Sequence, residues 1–192
     1  MGMAATIDRW TLAELHRLPD DGNKYELIHG ELLVTPAPTD AHEELATVLN
    51  EWLAPYVKQH RLGRVYRPRA VVQYRGSETE PDLMVRPVPA RLPVRWDRAP
   101  RPHLVVEIVS PFTRRRDYTT KREFYLDLRI PEYWVVDGEE RTILVVRPGM
   151  KDVRQRARLE WRPTGAAEPF VLDVAEYFRE ALGEERGPDV DL

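Results

Sequence analysis

The run His103-Leu104-Val105-Val106-Glu107-Ile108-Val109 constrains this chain more than any other stretch. Its continuous apolar character predicts a short strand buried on both faces of a central sheet. A carboxylate in such a strand is costly unless it is paired, protonated or holding a metal. Whatever fold the chain adopts must bring a partner to Glu107. Upstream, Glu80-Pro81-Asp82-Leu83-Met84-Val85 puts a second acid at the mouth of another apolar strand, and downstream Lys121 falls on a predicted helix.

The 192 residues are read as a single domain, 1–192, large enough for a proper core. No apolar run approaches the roughly 20 residues of a membrane span. Met1 to Asp8 lacks the basic start and apolar stretch of a signal peptide, and there are no cysteines for disulfides or thiolate zinc sites. A cytoplasmic location is the expectation. Twenty-five arginines against four lysines, 17 prolines and five amide side chains fit heat adaptation, although a GC-rich genome gives the same bias.

Net charge is −3, but it is unevenly spread. Residues 61–122 hold fifteen basic and six acidic side chains, a local charge of +9 that leaves −12 for the rest. Basic side chains thus bracket the two candidate acids, where a phosphate would need neutralising. The plainer alternative is a set of solvated arginines on exposed strands and loops.

Thr11 and Glu14 form a capping box for a helix over Leu12 to Leu18. Residues 25–28 and 31–34 read as a hairpin across His29-Gly30, followed by a helix from Thr39 or Asp40 to about His60. A strand from Val65 to Tyr74 precedes the two acid-bearing strands, which are separated by a proline- and arginine-rich loop at 87–102. A helix from about Arg114 to Leu128, a hairpin over 132–137 and 142–146, a weak strand before Trp161 and a helix over Val174 to Leu182 complete the pattern. This predicts one α/β domain: a mixed sheet with flanking helices.

An acid at a strand mouth, an acid within a strand and a nearby lysine are the parts of a metal-dependent phosphodiesterase. The five histidines show neither HxH nor HExxH spacing, which argues against zinc. There is no phosphate-cradling glycine loop and no GxSxG elbow, and a two-carboxylate glycosidase leaves the lysine and the arginines unexplained.

The order Pro81-Asp82, Glu107, Lys121 resembles the PD-(D/E)xK nuclease superfamily. Tyr25-Glu26-Leu27-Ile28-His29-Gly30-Glu31-Leu32, Pro81-Asp82-Leu83, Val106-Glu107-Ile108-Val109-Ser110-Pro111 and Pro131-Glu132-Tyr133-Trp134-Val135-Val136-Asp137 are more specifically similar to the Uma-two family of restriction endonucleases, over about residues 8–180. The resemblance implies a restriction-endonuclease-like core and a magnesium-dependent endonuclease acting on DNA, with manganese as a substitute. Asp82 and Glu107 would bind the cation and Lys121 would orient the attacking water. Hard carboxylate oxygens suit such a cation. The superfamily lysine stands two residues after the glutamate, where this chain has Val109; the nearest candidate, Lys121 on the following helix, resembles the migrated lysine of this branch.

Each residue also has a structural reading. Asp82 could cap a strand, Glu107 could pair with an arginine, and Lys121 could be a surface partner of Asp117 one turn earlier. Glu26 either joins the metal shell or faces solvent on its hairpin. Tyr125 is read as core rather than catalytic, and Ser110-Pro111 as the end of the strand. Rival functions are a nuclease-fold binding or regulatory module with little turnover, and a structural homo-oligomer. A homodimer is expected by analogy with enzymes that cut two strands. No segment announces itself as a DNA-reading element.

Overall fold

In a computed structural model of the chain, which describes residues 9–184, the first element is α1 (Leu12–Leu15). It has the capping box expected of Thr11 and Glu14 but stops short of Leu18. The reading of Met1 to Asp8 lies outside the described residues. Strands β1 (Lys24–Ile28) and β2 (Glu31–Thr35) form the expected hairpin. His29 and Gly30 turn it at φ 53° and 85°, the left-handed pair of a tight two-residue loop. Helix α2 (Asp40–Gln59) follows, capped by the Thr39 hydroxyl, and buries Leu45, Leu49 and Leu53 along one face.

The single strand expected over Val65–Tyr74 divides into β3 (Arg64–Tyr66) and β4 (Val72–Tyr74), which belong to different sheets. Arg75 and Gly76 then turn the chain back as β5 (Ser77–Thr79), whose Ser-Glu-Thr sequence carries no apolar signal. Strands β6 (Leu83–Arg86) and β7 (Leu104–Ile108) flank the proline-rich loop. The helix expected over 114–128 breaks at Thr119, where φ −125° and ψ −82° leave the helical region, giving α3 (Arg114–Tyr118) and α4 (Thr120–Asp127). Strands β8 (Glu132–Asp137) and β9 (Thr142–Val146) form the second expected hairpin. Strands β10 (Val153–Gln155), β11 (Arg158–Trp161) and β12 (Phe170–Asp173) lead to α5 (Val174–Leu182). No described helix is long and apolar enough to cross a membrane.

Six strands make a central mixed sheet in the order β10-β9-β8-β7-β6-β3. Its parallel pair is β7 and β8, joined by the α3–α4 crossover, and the other neighbours are antiparallel. A four-stranded sheet, β2-β1-β5-β4, and the β11–β12 pair are separate.

Strand alternation sorts the interior into two cores. Leu83, Val85, Leu104, Val106, Trp134 and Val136 join α2 and α5 in one. Met84, Val105, Tyr133 and Val135 point the other way, to Ile28 of the four-stranded sheet and to Phe124 and Tyr125 of α4. Asp82 and Glu107 share the parity of Met84 and Val105, so they face the second core. The register that pairs Leu83 with Val106 and Met84 with Val105 brings Asp82 opposite Glu107 when continued by one residue.

Candidate active site

The same two-residue period acts on β1, where Lys24, Glu26 and Ile28 share a face, and Ile28 belongs to the second core. Lys121 and Tyr125 lie one turn apart on α4, and Asp117 at the end of α3 comes within 3.7 Å of Lys121 across the break. These three sources, two sheets and a helix pair, supply the side chains around Glu107.

Glu107 is 1% exposed. Its Oε1 accepts a 2.7 Å hydrogen bond from the Tyr125 hydroxyl, which also lies 3.1 Å from the Thr79 hydroxyl. Its Oε2 lies 2.9 Å from Lys121 Nζ. That ammonium is also 2.9 Å from Glu26 Oε2 and 3.7 Å from Asp117 Oδ1. Lys121 is therefore no surface partner of Asp117: it is 1% exposed and holds three acids at the back of the site. Glu26 is equally buried, with its other oxygen accepting the Glu80 amide, so the solvent-facing reading of Glu26 is excluded. Pairing of Glu107 with an arginine is replaced by pairing with this lysine.

Asp82, 5% exposed, has the most partners of the four acids in this cluster. Lys24 Nζ lies 2.9 Å from its Oδ1, while its Oδ2 accepts the Ile108 amide at 2.8 Å and lies 3.2 Å from His42 Nε2. Lys24 also donates to the Glu80 carbonyl at 3.2 Å. Sequence reasoning missed Lys24 and His42. Alternation from the buried Glu26 could have found Lys24, whereas His42 lies on the first turn of α2 and carried no local signal.

A cleft of about 280 Å³ opens beside these acids. Lys24, His42, Asp82, Glu107 and Ile108 line it, together with the 36–39 and 110–113 loops, but Lys121 does not. The lysine facing the cleft is Lys24.

Four acids, Glu26, Asp82, Glu107 and Asp117, surround two lysines, an excess of two negative charges when all are ionised. Burial, aided by Asp82 and Glu26, pushes Glu107 up to about 8 against the pull of the lysines. Burial likewise raises Asp117 to about 6. Asp82 is also penalised by burial, but Lys24 and His42 outweigh this and hold it well below the usual carboxylate range. Lys24 and Lys121 are raised despite burial, by Asp82 and Glu107 respectively before all others.

Several side chains of the basic segment are committed elsewhere. Buried Arg86 stacks between the Tyr66 and Trp96 rings, with its guanidinium 4.5 and 4.8 Å from their centroids. Arg114 pairs with Asp137, Glu139 and Glu140, and Arg122 with Asp152. Arg67 and Arg69 alone among its arginines line the cleft.

A mixed sheet with flanking helices and an acid–lysine cluster at one end of its central strands defines a restriction-endonuclease-like α/β protein. The fold superposes on a crystal structure described as "a putative nuclease belonging to DUF820" from Anabaena variabilis ATCC 29413, with a TM-score of 0.77 over 90% of this chain and 99% of that one, at 23% identity. None of the curated proteins matches this chain. The model of the Uma2 family, described as "Putative restriction endonuclease", matches residues 12–175, and the chain belongs to that family.

Proposed function

We propose that this protein is a magnesium-dependent endonuclease that hydrolyses phosphodiester bonds in DNA, with manganese as a substitute. The observation that carries this reading is the acid-rich cluster beside an open cleft: four carboxyl groups around two lysines, with Asp82 and Glu107 both on the cleft wall. The donor set fits a hard divalent cation that keeps most of its water. Among the described residues no three His, Asp or Glu side chains are grouped to hold a metal, so two carboxylates would be completed by water and phosphate oxygens. A bound cation supplies Lewis-acid polarisation of the phosphoryl group and a lowered pKa for water.

The chain's own residues do the rest. Asp82 is fixed by the Ile108 amide and His42, and Glu107 by Tyr125 and Lys121, so both ligands are pre-oriented. Lys121 acts through Glu107, making ionisation of that carboxyl affordable once a cation is near. Lys24 is the cation that meets the substrate side of the site: displaced from Asp82, its ammonium can orient water or stabilise the charge that builds on the phosphoryl oxygens. The test is purified protein on DNA with magnesium, manganese or chelator. Cleavage with either metal and silence in chelator is expected, and chelator-resistant cleavage would overturn the two-carboxylate mechanism. Binding without any cleavage would instead favour a nuclease-fold module that has lost turnover.

A further inference from the structure

The cleft beside Asp82 and Glu107 has a second kind of wall that phosphodiester chemistry does not use. Pro36, Pro38, Pro68, Pro111 and Phe112 line the same cleft as the acids and Lys24. Phe112 is 71% exposed, costly for an aromatic ring with no structural duty. It does not sit on a loose loop. The Ser110 amide donates to the Thr113 hydroxyl at 3.1 Å, the Thr113 amide donates to the Ser110 carbonyl at 3.1 Å, and the Arg114 amide donates to the same carbonyl at 3.0 Å. These bonds fix the backbone of the turn that presents the ring at the cleft, so binding orders little further backbone there.

The acids are also recessed, at 1% and 5% exposed, in a space just below the roughly 300–1,000 Å³ usual for small-ligand pockets. A duplex is a stiff rod with its bases stacked inside, and it presents only sugar and phosphate to a wall of proline and phenylalanine. A single strand bends freely and exposes the flat faces of its bases, which stack on aromatic rings whatever the sequence. The rim cations suit its backbone: Arg67 and Arg69 are held by the exposed acids Glu43 and Asp20, weak partners that a phosphate can replace.

We propose that the site takes a single-stranded polynucleotide, seating one unstacked base against Phe112 and the proline wall so that the adjoining phosphate reaches Asp82 and Glu107. This rests on the nuclease reading and specifies its substrate. The chemistry is shared by single-stranded DNA and RNA, and both enter the test.

The test measures fluorescence anisotropy of the full-length protein in chelator, with a short labelled DNA strand, the RNA of the same sequence and a hairpin duplex. One or both single strands should bind more tightly than the duplex. Phe112→Ala should weaken single-strand binding by about tenfold, within the range of lost base–aromatic stacking, and leave duplex binding and the melting temperature unchanged. Phe112→Trp should restore it. Duplex binding equal to or tighter than both single strands would overturn the proposal, as would unaltered single-strand affinity in Phe112→Ala. Cleavage with magnesium separates the two levels: efficient cutting of duplex with no single-strand preference removes only this inference, whereas no cutting of any polynucleotide removes the nuclease reading.

Discussion

Lys24 Nζ lies 2.9 Å from Oδ1 of Asp82, a contact between adjacent sheets that sets a lysine from the first hairpin on the cleft wall. Lys121 makes an equally short contact with Glu107 but from behind it. The two lysines therefore have different duties, and their removal should have different consequences.

Lys24→Ala should cut magnesium-supported turnover by at least about tenfold with little change in KM, because the lost interaction belongs to the transition state. Lys121→Ala should act first on the fold: stranding three buried acids should cost about 3–5 kcal/mol, read by urea denaturation. A Lys121→Ala protein as stable as the parent would show that the buried cluster is not held by that ammonium.

The two proposed metal ligands should respond oppositely to neutralisation in chelator. Asp82→Asn should lose roughly 2 kcal/mol, since it weakens the bonds from Lys24, His42 and the Ile108 amide. Glu107→Gln should hold or gain stability, because the native carboxyl already resists ionisation. Both should abolish cleavage. Equal losses would mean that Glu107 is a structural ion pair like Asp82.

Stability in chelator should fall as pH rises. Glu107 is raised from an ordinary 4.5 to about 8 and Asp117 from 3.8 to about 6, so the folded state binds more protons than the unfolded one between those values. Each step upward through that window favours unfolding. Magnesium should flatten the slope, since a cation replaces the retained protons, and Glu107→Gln should remove its upper part. Denaturation curves at about pH 6 and pH 8 give the sign directly. Asp82 works in the other direction: its depressed pKa contributes stability above about 4 that is lost only in acid.

Arginines of the basic segment should separate into structural and substrate-facing groups. Arg86→Ala should lower the melting temperature through loss of two cation–π contacts, each worth about 1–2 kcal/mol when buried, without altering the salt dependence of DNA binding. Arg67→Ala should reduce that salt slope by about one while leaving the melting temperature nearly unchanged. A reversed pattern would relocate the nucleic-acid path toward the 87–102 loop.

Local signals were strong where one element decides its own form. The Thr11 and Thr39 caps, the His29-Gly30 turn and the apolar runs of β7 and β8 are readable because backbone stereochemistry and burial leave few alternatives. Short strands were lost where side-chain pattern is silent: β5 is Ser-Glu-Thr, and its place is set by the Arg75-Gly76 turn and by pairing to β1 and β4. The division of 65–74 between two sheets and the break at Thr119 also leave no mark in local periodicity.

For the site, the apolar run around Glu107 already required that this acid find compensation, since an acid in a buried strand has no stable solitary state. The sequence also marked Asp82 and Lys121 and, through alternation on β1, could have marked Lys24. Which partner answers which acid is settled by packing alone. Lys121 is turned inward to Glu26, Glu107 and Asp117, while Lys24 and His42 reach Asp82 beside the cleft. Those pairings depend on how two sheets and a helix pack against one another, a long-range geometry that the spacing of residues along one chain does not contain.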